Sequence, residues 1–263
     1  ADSVNWGINY PGRNNVAWQW AANGSGSSNT DGDITSTVSA NTTAGFSIAT
    51  YTGNASSSQT IGHGLGQIPS LVMFKELDSS SYSWQVYHAS LGYTQRLILD
   101  ATNAAVSATN IFSAAPTSTV FTIGNSAGIN TNSASHVMYS FAEIPGYSSF
   151  GSYTGNGSTN GTFVYTNGMK PAFVILKRTN ATQEWQMYDT QRDPNNVADH
   201  KLEPNSSNVE SILTGNNNLD FLSNGFKLRQ ANGGMNASGS TYIYMAFAEN
   251  PFGGDGVAPA TAK

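Results

Sequence analysis

Residues 241–249 read Thr-Tyr-Ile-Tyr-Met-Ala-Phe-Ala-Glu, and residues 135–143 read Ser-His-Val-Met-Tyr-Ser-Phe-Ala-Glu. Ile243, Met245 and Phe247 alternate with Tyr242, Tyr244 and Ala246, and Val137, Tyr139 and Phe141 repeat the first set. A period of two with an apolar inward face predicts a half-buried antiparallel strand in each stretch. The two are one strand written twice, and the echo extends outward from them. Tyr51 and Tyr153, Pro69 and Pro171, and Lys75 and Lys177 lie 102 positions apart. Trp84 and Trp185, and Tyr87 and Tyr188, lie 101 apart, and Glu143 and Glu249 lie 106 apart. Loop insertions between fixed strands produce such drifts, so the chain carries a duplicated structural unit.

The same reading places strands at 47–51, 71–75, 84–87, 96–99 and 120–123. Their counterparts fall at 152–153, 173–177, 185–188 and 226–229. Turn pairs such as Gly155-Asn156-Gly157, Asn167-Gly168 and Asn224-Gly225 punctuate them. Helix is scarce, with one short candidate at 208–213. The expected fold is all-β: two tandem antiparallel β-sandwich repeats, lectin-like or jelly-roll-like, at 45–147 and 148–253, with a tail at 254–263. Residues 1–44 are expected to be the remnant of a preceding module. Within them Val16 to Ala21 resembles the closing strand, with Val16, Trp18 and Trp20 inward, and Gly24 to Ala44 reads as a solvated linker.

Composition narrows the class. Hydrophobic residues reach 38% and aromatic ones 11%, enough for a core, while charged residues make up only 10%. Eleven scattered basic residues and a net charge of -5 leave no stripe for a phosphate backbone, which argues against nucleic acid. No apolar run is long enough to insert in a membrane. With no cysteine, disulfides and thiolate metal sites are excluded. The N-terminal residues lack the charged-then-apolar pattern of a secretory signal.

Candidate chemistry is sparse. Glu143 and Glu249 recur with Lys75 and Lys177, which reads as an ion pair at the rim of each repeat. The alternative, two catalytic carboxylates of a glycoside hydrolase, would need them to meet across a cleft. His63 sits in a Gly-rich turn, His136 aligns with Tyr242, and no histidine has a second histidine or a carboxylate at metal-ligand spacing. No serine-hydrolase elbow is present. Asn29, Asp31 and Asp33 alternate as calcium ligands do, but Asp-Gly in a polar stretch also makes a plain turn.

Residues 188–201 are the largest departure between the copies. Asp189, Arg192, Asp193 and His200 stand there as candidate recognition residues, against a plainer reading in which Arg192 ties down Asp189 or Asp193. Tyr82 and Tyr93, rings in polar loops, are two further candidates. Eight Asn-x-Ser/Thr triplets, Asn54, Asn156 and Asn236 among them, follow from composition.

Taken together, GFSIATYTGN (45–54), GHGLGQIPSLVMFK (62–75), FAEIPGYSSFGSYTGNGS (141–158) and YIYMAFAENPF (242–252) resemble a repeat found in virion structural proteins of tailed phages. The resemblance covers nearly the whole chain; Gln19 stands where relatives commonly have cysteine. It implies a non-enzymatic virion component, and from the residues themselves no cofactor or metal is expected. The expected role is a tail fibre or tail-associated domain that meets a host-surface glycan or protein. The alternative is a capsid decoration or assembly protein without a receptor, and a polysaccharide-degrading tailspike is the third. Expected partners are other virion proteins and further copies of the chain, a trimer being favoured.

Overall fold

The structure, a computed structural model, describes residues 14–212, 215 and 218–249; the expected tail at 254–263 and residues 1–13 lie outside the described residues. All regular elements among them are strands, paired in antiparallel ladders. The first repeat and the segment before it hold β1 (Ser27–Asn29), β2 (Ser36–Asn41), β3 (Phe46–Thr52), β4 (Gln59–Gly62) and β5 (Leu71–Glu76). They continue with β6 (Gln85–His88), β7 (Gln95–Ile98), β8 (Val106–Ser107), β9 (Val120–Ile123) and β10 (Ser135–Phe141). The second repeat holds β11 (Ser148–Thr154), β12 (Phe163–Tyr165), β13 (Pro171–Arg178), β14 (Gln186–Asp189) and β15 (His200–Lys201). It closes with β16 (Ser211–Ile212), β17 (Leu219–Leu222), β18 (Gly225–Leu228) and β19 (Thr241–Ala248).

The main sheet of the first repeat runs β1-β2-β3-β10-β5-β6-β7-β8, and that of the second runs β11-β19-β13-β14. Strands β3, β10, β5 and β6 therefore correspond to β11, β19, β13 and β14. Each main sheet packs on a smaller one, β4-β9 in the first repeat and β12-β18-β17 in the second. Val72, Phe74 and Met138 meet Ile61, Phe121 and Ile123 in the first core. Val174, Leu176 and Tyr242 meet Val164, Phe226 and Leu228 in the second.

The half-buried reading of the closing strands is corrected by a third core. Phe46, Leu71, Leu97 and Phe141 of the first repeat pack on Phe173, Ile175, Ile243, Met245 and Phe247 of the second. The face of β19 read as inward turns to this seam, while Tyr242, Tyr244 and Ala246 enter their own repeat's core. The central strands of each main sheet are thus buried on both faces, and the repeats sit sheet against sheet. Full burial of one such Phe or Leu contributes about 1.5–3 kcal/mol, so the seam is a major part of the stability.

The N-terminal segment behaves differently from the expectation. Val16 to Ala21 forms no strand, and Val16 is exposed. Trp18 and Trp20 instead plug the seam, with Trp20 5.8 Å from Phe141 and 5.2 Å from Phe247. The expected linker carries β1 and β2, and β2 pairs with β3 along its whole length, Ser36 opposite Tyr51 and Asn41 opposite Phe46. Ser36 and Val38 alternate inward, and β2 is held between β3 and the short edge strand β1. The short helix expected at 208–213 is absent: Ser211 and Ile212 pair with Lys201 and His200. Leu213, its last residue, lies outside the described residues.

Candidate functional site

The recurring lysines and glutamates do not pair within a copy. In register, Lys177 faces Ile243 and Pro171 faces Ala248, so Lys177 and Glu249 lie at opposite ends of an antiparallel ladder. Lys75 and Glu143 are separated in the same way, with Lys75 opposite Val137. Lys75 instead donates to the Tyr82 carbonyl, and Lys177 to the Gln183 carbonyl at 2.5 Å. Glu249 pairs with Lys170 at 2.6 Å, and Glu143 accepts from Phe150 N and Asn167 Nδ2.

Residues 189–201 form a braced loop. Asp189 Oδ1 accepts from the backbone of Gln191 and Arg192, and its Oδ2 takes Arg192 Nε at 2.7 Å. Arg192 goes on to the His200 carbonyl, to Glu210, and over the Trp18 ring at 5.8 Å. The ion pair of the plainer reading forms on Asp189 and not on Asp193. Asp193 holds His200 twice, through the backbone N at 2.9 Å and Nδ1 at 2.5 Å. Asp199 approaches the same nitrogen at 3.2 Å.

The hydrogen bond to Asp193 raises the His200 pKa above its ordinary value. No histidine had a carboxylate at metal-ligand spacing along the sequence, yet in the fold Asp193, Asp199 and His200 bring three ligand-type atoms within 4.8 Å of one another. Folding back of the loop across β15 brings them together, which sequence spacing did not disclose.

The other candidates are dispersed. Tyr93 is exposed on a loop, and Tyr82 packs beside Gly128. Neither shares a hydrogen bond or ring contact with the braced loop among the described residues. Asp31 accepts from Asn29 within its own turn, and Asp33 accepts from Thr60 N and Oγ1, so Asp33 docks the N-terminal segment on β4. Hydrogen bonds from Thr60 lower the Asp33 pKa.

The feature that sequence reading missed is a cleft of about 620 Å³ in the seam, a volume in the range of ligand sites. Trp18, Trp20, Trp84, Tyr139 and Trp185 line it, with Met73, Met187 and Met245. Tyr139 stacks between Trp84 and Phe46, at 6.0 and 6.5 Å. His88 lies fully buried on the wall, its Nε2 3.2 Å from the Tyr244 carbonyl and its Nδ1 accepting from Ser90 N. Burial lowers its pKa to about 4, so the ring is neutral at pH 7.

Cross-repeat hydrogen bonds close the seam around the cleft. Trp185 Nε1 donates to the Ile98 carbonyl, Gln183 N and Lys177 Nζ both reach the Thr102 carbonyl at 2.9 Å, and Ala105 N reaches Thr179 O. Lys177 is completely buried, which lowers its pKa to about 8. The only available signal was that Trp and Lys recur where both copies agree. No curated protein and no solved structure matches the chain. A family model described as "Domain of unknown function (DUF7483)" matches residues 1–251, and the chain belongs to that family.

Proposed function

We propose that the chain is a non-enzymatic structural component of a tailed-phage particle. Its role is that of a tail fibre or tail-associated domain that helps attach the virion to a glycan or protein of the host surface. The observation that carries the reading is the seam. Two sandwiches that bury one main-sheet face against each other form a stiff unit, with the small sheets turned outward, that of the second repeat left open as a presentation surface. The charged loop side chains act as braces within that unit, which suits a load-bearing particle protein. The resemblance of the repeated motifs supports the same assignment. Its partners are then other virion proteins and further copies of the chain.

Electron microscopy of intact virions labelled with gold-conjugated antibody against this chain tests the reading. Label concentrated at the tail is the expected result. Label on the capsid alone would favour a decoration role, and particles without label would overturn the assignment.

A further inference from the structure

The outer face of the second repeat's small sheet differs sharply from its counterpart. The pair Val164 and Phe226 in β12 and β18 corresponds to Ile61 and Phe121 in β4 and β9. Phe163 and Tyr165 therefore stand where the first repeat has Thr60 and Gly62. Phe163 is 43% and Tyr165 54% exposed, although Val164 between them is buried in the core. Period two along the strand puts both rings on one outward face, about 7 Å apart. Phe163 lies across Gly225, where a Cβ would meet its Cε2 and Cζ at 3.1 Å, so the ring is laid along the sheet. Covering a strand glycine accounts for part of the position of Phe163. It gives no role to Tyr165.

In the first repeat the equivalent strand is covered by the chain itself. Ile34 bridges Ile61, Asp33 holds Thr60, and Asn29 lies so close to Gly62 that a Cβ there would be 1.7 Å from its Oδ1. Among the described residues the second repeat has no equivalent segment, since β10 passes to β11 through a turn at residues 142–147. Aromatic rings stand at the positions of Thr60 and Gly62, where no described segment lies over the strand. Lys227 stands opposite Phe163 and next to Asp220, and Arg229 Nε lies 3.2 Å from Asp220 Oδ2.

We propose that this face, Phe163 and Tyr165 flanked by Lys227, Asp220 and Arg229, binds the sugar rings of a polysaccharide. A pyranose has C–H faces that lie on aromatic rings and a rim of hydroxyls that needs donors and acceptors. The sheet supplies both on one plane. Two half-exposed rings fall far short of the roughly 800 Å² per partner of a stable protein interface, which disfavours a protein occupant. The inference deepens the attachment reading and rests on it for the source of the glycan.

The test is an array of purified bacterial surface polysaccharides probed with the full chain, wild type and F163T/Y165T. The double variant keeps strand-forming residues. Retention of at least one polysaccharide by the wild type, reduced tenfold or more in F163T/Y165T and unchanged in Y82S/Y93S, is the expected result. Fluorotyrosine labelling adds a readout that needs no variant to fold: the Tyr165 resonance should shift on adding the retained polysaccharide. No retention by the wild type, equal retention by F163T/Y165T, or an unmoved Tyr165 resonance would each overturn the proposal. So would a change of molecular mass in F163T/Y165T, which would mark the face as a contact between chains. Virion labelling is independent of these outcomes: tail label without glycan retention sinks this inference alone, and retention by a chain missing from virions sinks the virion assignment alone.

Discussion

Gly151 and Tyr244 stand directly opposite each other across the β11–β19 ladder, and the tyrosine ring occupies the space a side chain at 151 would need. A Cβ there would lie 2.8 Å from both the ring Cε1 and the hydroxyl oxygen. The hydroxyl is anchored by Ser149 Oγ and the Tyr165 carbonyl, each at 3.2 Å. In the first repeat the same two positions hold Ala49 and Met138. Each repeat has fitted the size of one member to the other.

Gly151→Ala should therefore destabilise the protein by about 1–3 kcal/mol through overpacking. Tyr244→Met added to it recreates the first repeat's pair and should recover part of that loss. A coupling energy of about 1 kcal/mol or more in a urea double-mutant cycle is the expected outcome.

Lys177 gives the stability a signed alkaline dependence. Its folded pKa, about 8, lies below the unfolded value near 10.5, so between these values the unfolded chain binds more protons. Stability from this group should rise from pH 8 towards pH 10. Above pH 10 the trend reverses, because burial holds Tyr51, Tyr153 and Tyr188 protonated only in the folded state. Urea midpoints across this range check both limbs, and Lys177→Met should lose the rising one.

On the acid side, His88 works in the opposite direction to His200. The buried His88 ring has its folded pKa at about 4, so stability should fall as pH drops from 6.5 towards 4. His200 has a raised folded pKa, and its contribution is fully present below about 6.5 and lost as pH rises through the folded value. His88→Asn, which can still accept from Ser90 N as Asp189 does from Gln191 N, should show a smaller loss between pH 7 and 4.5 than the wild type. Unfolding curves at the two pH values measure it.

How much of this was legible depended on chemistry local to each strand. The duplication, the all-β class and the ring position shared by His136 and Tyr242 could be read, and the structure stacks those rings on Tyr51 and Tyr153 at 5.1 and 5.0 Å. Strand β2 was hidden because its sequence, Ser-Thr-Val-Ser-Ala-Asn, is polar on the face that water still reaches. The seam was hidden for a different reason. A period of two tells which residues share a face, and it does not say that Ala246 and Phe247 will both be buried. The exposed pair Phe163 and Tyr165 sits in a three-residue strand, too short for any periodicity to register.

Glu143 fills the place in the second repeat that β2 holds in the first. Ile48 pairs with Ser39 of β2, whereas its counterpart Phe150 gives its N–H to Glu143 Oε2 at 3.0 Å. A carboxylate on an edge strand blocks the addition of another strand. Glu143→Ala should promote concentration-dependent association, seen as a rise in mass by light scattering at concentrations where the wild type shows none.

The face-to-face seating of the repeats is tested most directly by disulfide trapping with T102C/Q183C, in a chain that has no cysteine of its own. Gln183 N donates to the Thr102 carbonyl at 2.9 Å, which brings the two backbones within the reach of a disulfide. Ready closure within one chain under native conditions, and its loss in urea before oxidation, is the result this account requires. Failure to close in the folded protein, or closure only between chains, would contradict it.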